Sequence, residues 1–459
     1  MKNNYNILEI TLIAALGGLL FGYDTAVISG AIGSLTAYFH LSPVETGWAI
    51  SSALTGCLIG ALFADFCSTK FGRKNSLLLA ALLFSISAIG TALPDSFSWF
   101  IIFRIVGGLG VGIASMIVPM YIAEIAPKDQ RGKLVGYNQL AVVAGIVLVY
   151  FVNYFIALQG NEQWNLQYGW RWMFGSELIP SLLFFGLLFL IPESPRWLLL
   201  NNKKEQAVKI LQQLNVKDSE EFVKEFELSI SNKNQKAHWS LLFHPATKIA
   251  LFTGIGLSVF QQITGINAIL YYAPEIFKDF GSSRNTALLE TSILGICNLV
   301  FTFVAIKLVD NKGRRPLLLI GTTGMLIALL VVGGSVYFQI HSSWLLIFLL
   351  LFMASFSISW GPVVWVLLSE IFPNHVKSLA LSIAVFIQWI ANLVVSQTFP
   401  IIHENTLLQN TFHGAFSFML YAVFCLIAFF FVWKIVPETK NKTLEQMNAL
   451  WDDQIIKNK

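Results

Sequence analysis

Apolar runs of about twenty residues, separated by short polar stretches, recur along the chain from residue 9 to residue 436. They are continuous, not alternating. A helix needs about 20 apolar residues to cross a bilayer, whereas a barrel strand needs about 10 in strict alternation. The pattern therefore predicts twelve membrane helices, at about 9–33, 44–66, 76–93, 99–122, 133–156, 172–191, 247–271, 286–308, 316–338, 344–369, 378–400 and 414–436. The first run has no small-residue cleavage pattern after a short apolar stretch, so it is expected to be a retained span and not a signal peptide. A polar segment from Pro192 to Thr247 interrupts the series after the sixth run. Within it, Lys204–Leu214 sets Ala207, Ile210, Leu211 and Leu214 on one face, which predicts a linker of short helices. The tail from Thr443 to Trp451 opens with a capping-box pattern, Thr443 with Gln446, and sets Leu444, Met447 and Trp451 on one side.

Composition agrees. Of 459 residues, 55% are hydrophobic and only 12% charged, about half the charge of an ordinary soluble domain. That excludes a water-soluble enzyme, a disordered chain and a nucleic-acid binder. Cys57, Cys67, Cys297 and Cys425 are far apart with no CxxC, so neither a disulfide framework nor a zinc site is expected. The charges are sorted by side. With the N-terminus inside, 26 of the 30 Lys and Arg fall in cytoplasmic segments. Only Arg171, Lys278 and Arg284 fall outside, and Arg104 lies within a span. The positive-inside rule then places both termini in the cytoplasm.

The chain repeats itself. Gly72-Arg73-Lys74 returns as Gly313-Arg314-Arg315, Ala123-Glu124-Ile125-Ala126-Pro127 as Ser369-Glu370-Ile371-Phe372-Pro373, and Pro192-Glu193-Ser194 as Pro437-Glu438-Thr439. The offsets are 241, 246 and 245 residues. Three motifs in one order at nearly one spacing indicate a duplicated six-helix unit. The expected organisation is all-α and transmembrane: a first half at 1–191, a linker at 192–246, a second half at 247–436 and a tail at 437–459. This resembles the twelve-helix major-facilitator bundle, in which substrate lies near the midplane between two halves that rock about it. The basic triplets can donate to helix C-termini and to Glu124, Glu193, Glu370 and Glu438 on the same face, and so form a cytoplasmic gate. The alternative is that they only set topology at the lipid surface.

Ionisable groups inside spans need reasons. Asp24 lies about 14 residues into the first span, roughly 21 Å from its cytoplasmic end. Arg104 enters the fourth span from the outside, and its side chain can reach Asp24. The pair is a proton-coupling candidate, or else a permanent structural pair. The amides form a second group. A sugar presents hydroxyls and an apolar ring face, so it calls for amide side chains and aromatic rings. Gln261, Gln262 and Asn267 flank Gly265, where the seventh span can unwind to aim them inward. Tyr271 and Tyr272 follow as outer-gate aromatics. The tenth span has a hinge at Gly361-Pro362 and then Trp365; the eleventh carries Gln388-Trp389, and Asn298 is a lone amide in the eighth. Helix–helix glue and an interfacial belt are the competing roles for these amides and tryptophans.

Phe21-Gly22-Tyr23-Asp24, Arg104 with Gly107, Gly108, Gly110 and Gly112, Pro192-Glu193-Ser194-Pro195-Arg196, Gln261-Gln262 with Gly265 and Asn267, and Pro437-Glu438-Thr439-Lys440 together carry a resemblance. Along essentially its whole length the chain resembles the sugar porter family of the major facilitator superfamily. The resemblance implies proton-coupled symport of a monosaccharide, D-xylose or a related pentose or hexose, by alternating access. Asp24 matches the proton-linked Asp of the xylose symport branch, where facilitators usually carry Asn. Phe21 and Trp389 join the sugar contacts, while Arg131 and Arg196 join Arg73, Arg314 and the four glutamates at the gate. Glu177 matches a family position that can modulate the Asp24 pair or contact the cytoplasmic motifs; the gate contact is the expectation.

Three positions depart from the family. Ile146 stands where the xylose and glucose branches place a sugar-binding Gln, so another pentose, a hexose or a cyclic polyol stands beside xylose as the expected substrate. Asp65 and Thr69 replace the usual Gly and acid or amide of the first basic motif. The expected partners are a monosaccharide, protons and the lipid bilayer, with a monomer sufficient and neither cofactor nor metal. A uniporter without proton coupling is the nearest alternative. A sugar sensor would need a larger cytoplasmic extension, and a membrane enzyme finds no metal or nucleophile spacing among seven scattered histidines. The external loops hold no Asn-x-Ser/Thr acceptor, which favours a bacterial plasma membrane.

Overall fold

The computed structural model describes residues 5–127, 130–214, 223, 245–340, 344–372 and 376–440. Twelve helices among them are long and apolar enough to cross a membrane. They are spans 1 to 12: Ile7–Phe39, Pro43–Phe71, Arg73–Ala92, Phe97–Ile125, Arg131–Ala157, Glu162–Leu190, Thr247–Asp279, Arg284–Val309, Arg314–Tyr337, Leu345–Glu370, Leu379–His403 and Phe416–Lys434. Several large apolar side chains stay uncovered, Ile179 at 76% and Ile347 at 64% exposure. Such residues suit helices whose outer faces meet hydrocarbon in place of water. The predicted fold class holds.

The chain divides into two compact units: residues 1–40 with 52–236, and 41–51 with 237–459. In the first unit, spans 2 and 4 approach closely enough that a Cβ on Gly108 would overlap the Ala53 carbonyl, with the Gly56 Cα only 2.9 Å away. Small residues let backbones pack this way where no hydrophobic effect drives helices together. Residues 41–51, the first turns of span 2, group with the second unit. There Ser51 donates to Gln397 Oε1, and Gln397 Nε2 donates to the Val44 carbonyl at 2.9 Å.

The linker supplies two short helices, Pro195–Leu200 and Lys204–Gln213. They share a small core of Trp197, Leu198 and Ala207, with Leu199 and Ile210 packed against it. They are tied into the first unit: the Trp197 indole donates to the Thr69 carbonyl at 2.8 Å, and the Tyr5 amide to the Gln213 carbonyl at 2.9 Å. Residues 215–222 and 224–244, Pro373 and the tail pattern at Thr443 to Trp451 lie outside the described residues.

Two spans are broken. Span 7 stops at Ile263 and restarts at Ile266, with Gly265 between at φ +93°, a conformation only glycine adopts without strain. The unwinding predicted there is present. Span 10 breaks at Ser359 (φ −127°, ψ −88°), between Leu345–Ile358 and Trp360–Glu370. The hinge expected at Gly361-Pro362 thus falls a few residues earlier. Proline lacks the N–H that would reach the carbonyl four residues back, and its ring crowds that carbonyl. For Pro362 that partner is Ile358.

Candidate functional site

Three networks stand out, one buried in the first unit, one in the second, and one repeated on the basic side of both.

In the first unit, Arg104 Nη1 lies 3.0 Å from Asp24 Oδ1, and the two side chains are 1% and 0% exposed. The same nitrogen donates to the Asp24 carbonyl at 3.2 Å, and the guanidinium sits 5.4 Å from the Phe174 ring centroid. The predicted pair is therefore formed. Gly107 makes it possible, because a Cβ there would come within 3.0 Å of Asp24 Oδ1 and overlap Ser87. Glu177 is also here, 1% exposed and in electrostatic contact with both Asp24 and Arg104. That corrects the expected gate contact. Glu177 is 13 residues before Leu190, the end of span 6, or about 20 Å at 1.5 Å per residue, too far to meet the basic motifs. Among the described residues no donor reaches Asp24 Oδ2 or Glu177 Oε1, and the two carboxyls interact directly with each other. Two carboxyls thus lie beside one guanidinium, which is bonded to Asp24 alone, and this buried group carries one negative charge in excess unless a proton is bound.

In the second unit the amides of spans 7 and 11 join. Gln388 Nε2 donates to Gln261 Oε1, and Gln261 Nε2 donates to the Trp360 carbonyl at 2.8 Å. Gln262 Nε2 reaches Gln261 Oε1 at 3.3 Å, and Asn267 Nδ2 reaches Gln262 Oε1 at 2.6 Å. The Gly265 break lets Gln262 and Asn267 meet across the gap. Among the described residues Gln388 Oε1 is buried without a partner. Asn298 is held apart from this set, its oxygen accepting from Ser357 at 2.8 Å and Thr302 at 3.3 Å. Tyr271 is buried, and Tyr272 donates to the Ser396 carbonyl at 3.2 Å while packing 4.7 Å from the Phe399 ring. Trp365 is 42% exposed on the second part of span 10, and Trp389 is partly buried beside Gln388. Phe21 and Ile146 are partly buried in the first unit.

The repeated motifs build the same device twice. Arg73 grips Glu124 through Nε and Nη2 at 2.9 and 2.8 Å and donates to the Ser68 carbonyl at the end of span 2. Arg314 pairs with Glu370 at 2.9 Å and donates to the Val309 carbonyl at the end of span 8. Ser194 donates to Glu124, and Thr439 donates to Glu370. Glu193 and Glu438 differ from expectation. They accept from backbone N–H groups, of Arg73 and Lys74 in one case and of Arg314 and Arg315 in the other. Each therefore caps the N-terminus of span 3 or span 9, where the helix dipole favours negative charge. Gly72 and Gly313, at φ +90° and +89°, leave room for these carboxylates. Burial pushes the Glu193 carboxyl above its ordinary range, against the pull of the amides and of Arg73. Arg196 is held below its usual value by burial and by Arg131 next to it, with Glu124 opposing.

Sequence reasoning passed over Trp360, Thr322, Ser357, Ser194 and Thr439. Ser194 and Thr439 carried a usable signal, since each follows its repeated glutamate. The others are ordinary residues on unremarkable helix faces.

Twelve spans and a helical unit duplicated with its basic motif define a transporter of the major-facilitator type. Comparison with known proteins agrees. The family described as sugar (and other) transporter matches residues 10–451. At 47% identity the chain is similar, over its full length and 99% of the relative's, to the D-xylose-proton symporter of Escherichia coli (strain K12). It is 42% identical to the arabinose-proton symporter of Bacillus subtilis (strain 168), over 97% of this chain and 95% of that one. Among solved structures, the inward open xylose transporter XylE from E. coli matches with a TM-score of 0.86 and 45% identity, over 97% of this chain and 100% of that one. The chain belongs to the sugar transporter family.

Proposed function

We propose that this protein is a proton-coupled symporter that imports a monosaccharide, a pentose or related hexose, by alternating access. The observation that carries the reading is the buried group of Asp24, Arg104 and Glu177. One guanidinium beside two interacting carboxyls has a charge balance that a proton completes, and a proton taken up from one side and released to the other couples transport to the gradient. Similarity to a D-xylose-proton and an arabinose-proton symporter supports both the substrate class and the ion. The amide group of Gln261, Gln262, Asn267 and Gln388 supplies donors and acceptors for sugar hydroxyls, with Trp365, Trp389, Phe21 and Tyr271 as apolar and aromatic partners and Asn298 as a further amide. Arg73, Glu124, Arg131, Glu193, Arg196, Arg314, Glu370 and Glu438 form the gate on the basic side. The charge bias makes that side cytoplasmic, with both termini there, in a bacterial plasma membrane. A monomer suffices.

The test is uptake of labelled xylose, arabinose, glucose, galactose, fructose and inositol into proteoliposomes, with and without an inward proton gradient. Accumulation of one sugar above its outside concentration only when the gradient is present is the expected result. Equilibration that ignores the gradient would make the protein a uniporter and the Asp24–Arg104 pair structural.

A further inference from the structure

Behind the amides of the second unit sits Trp360, fully buried and placed just after the break in span 10. Its two polar groups bond to two different spans. The backbone carbonyl accepts from Gln261 Nε2 at 2.8 Å. The indole N–H donates to Thr322 Oγ1 at 2.8 Å, and that hydroxyl donates its own proton to the Leu318 carbonyl at 2.6 Å. Thr322 is also fully buried. A continuous hydrogen-bonded chain therefore runs from Thr322 in span 9, through Trp360 in span 10 and Gln261 in span 7, to Gln388 in span 11.

The geometry around Thr322 is tight. Its neighbour Gly321 abuts the break itself, since a Cβ there would overlap the side chain of Ser359 and lie 2.6 Å from the Ser355 carbonyl. Span 9 is thus pressed against the one place where span 10 has lost regular helical bonding. At that place Thr322 provides the acceptor for the indole N–H of Trp360. Gln261, in turn, has both ends of its amide engaged within the protein, so its orientation is set by Trp360 and it sets Gln388. The buried Gln388 Oε1 is left without a partner among the described residues.

We propose that Thr322 is a positioning residue for sugar binding. Through Trp360 it fixes the rotation of the Trp360–Glu370 segment, and with it the Gln261 and Gln388 amides. Thr322 itself touches no sugar. This inference rests on reading the amide group as the sugar site.

Full-length protein in proteoliposomes tests it, using the sugar found to be transported. Thr322→Val keeps the shape of the side chain and removes the acceptor, leaving a buried donor unpaired. A displaced hydrogen-bonded amide is expected to raise KM and the equilibrium Kd about tenfold, with the maximal rate little changed. Thr322→Ser, which keeps the hydroxyl, restores both. Trp360→Phe removes the indole N–H without stranding a donor and is expected to raise KM in the same direction; it decides the matter if Thr322→Val does not fold. Unchanged KM in both Thr322→Val and Trp360→Phe, while Gln262→Ala weakens binding, overturns the proposal and leaves the sugar site standing. A loss of maximal rate at constant KM, or no rescue by Ser, also overturns it. Undiminished binding by Gln262→Ala removes the sugar site and the proposal together.

Discussion

Adjacent glutamines in span 7 have different tasks because their hydrogen bonds are distributed differently. Gln261 spends its donor on the Trp360 carbonyl and its acceptor on Gln388 and Gln262. Gln262 accepts from Asn267 and makes only a long bond to Gln261, so an amide hydrogen remains for a ligand. Gln262 is therefore the better candidate for direct contact. Gln262→Ala is expected to weaken sugar binding by one to two orders of magnitude, since a site built for hydroxyls loses a partner and strands Asn267. Thermal unfolding should change little, because the Gln262 bonds stay within span 7, to Gln261 and Asn267. Equilibrium binding of the transported sugar checks this, and undiminished affinity would remove Gln262 from the site. Asn298, its oxygen already committed to Ser357 and Thr302, can offer a sugar only its amide N–H groups.

At the scale of elements, what repeats most faithfully is a cap. Glu193 covers the first amides of span 3 and Glu438 those of span 9, each from a segment more than a hundred residues away. Losing an N-cap acceptor costs about 0.5–2 kcal/mol, and here it also unties the segment from the helix end. Glu438→Ala is thus expected to lower the unfolding temperature by a few degrees and to increase proteolysis at the end of span 12, whereas Glu438→Gln, which keeps an acceptor, should lose less. Equal losses in the two variants would show that the charge matters and the cap does not. Much at this scale was legible in the sequence: the twelve spans, the duplicated motifs, the unwinding at Gly265. Chemistry local to a residue type announced each of these. The position of the span 10 break was not legible, because Pro362 is visible whereas the carbonyl it deprives lies four residues earlier. Glu177 was misassigned for a related reason. Its distance along span 6 was available by counting, but only packing shows that it faces Asp24. Thr322 left no trace at all, since a threonine inside a span looks the same whether or not it holds an indole.

At the scale of the whole molecule, the two units are built alike at their basic ends and unlike in their interiors. The first encloses the acid–base group, the second the amide group. A repeated frame with divided chemistry suits the coupling of an ion to a neutral solute, because the ion's charge is then handled apart from the sugar's hydroxyls. Asp24→Asn tests that division. The substitution preserves shape and leaves Arg104 with Glu177 beside it, so a counter-charge remains and the roughly 3–5 kcal/mol penalty of an orphaned buried charge is relieved. The variant should therefore fold, bind sugar and exchange labelled for unlabelled sugar across a vesicle membrane. It should fail to accumulate sugar when an inward proton gradient is applied, since the carboxyl that would carry the proton is gone. Accumulation retained at the wild-type level would exclude Asp24 as the proton carrier and move the role to Glu177. Loss of exchange as well, in protein whose unfolding temperature is unchanged, would mean that the Asp24–Arg104 bond is needed for the conformational cycle itself and does more than take up a proton.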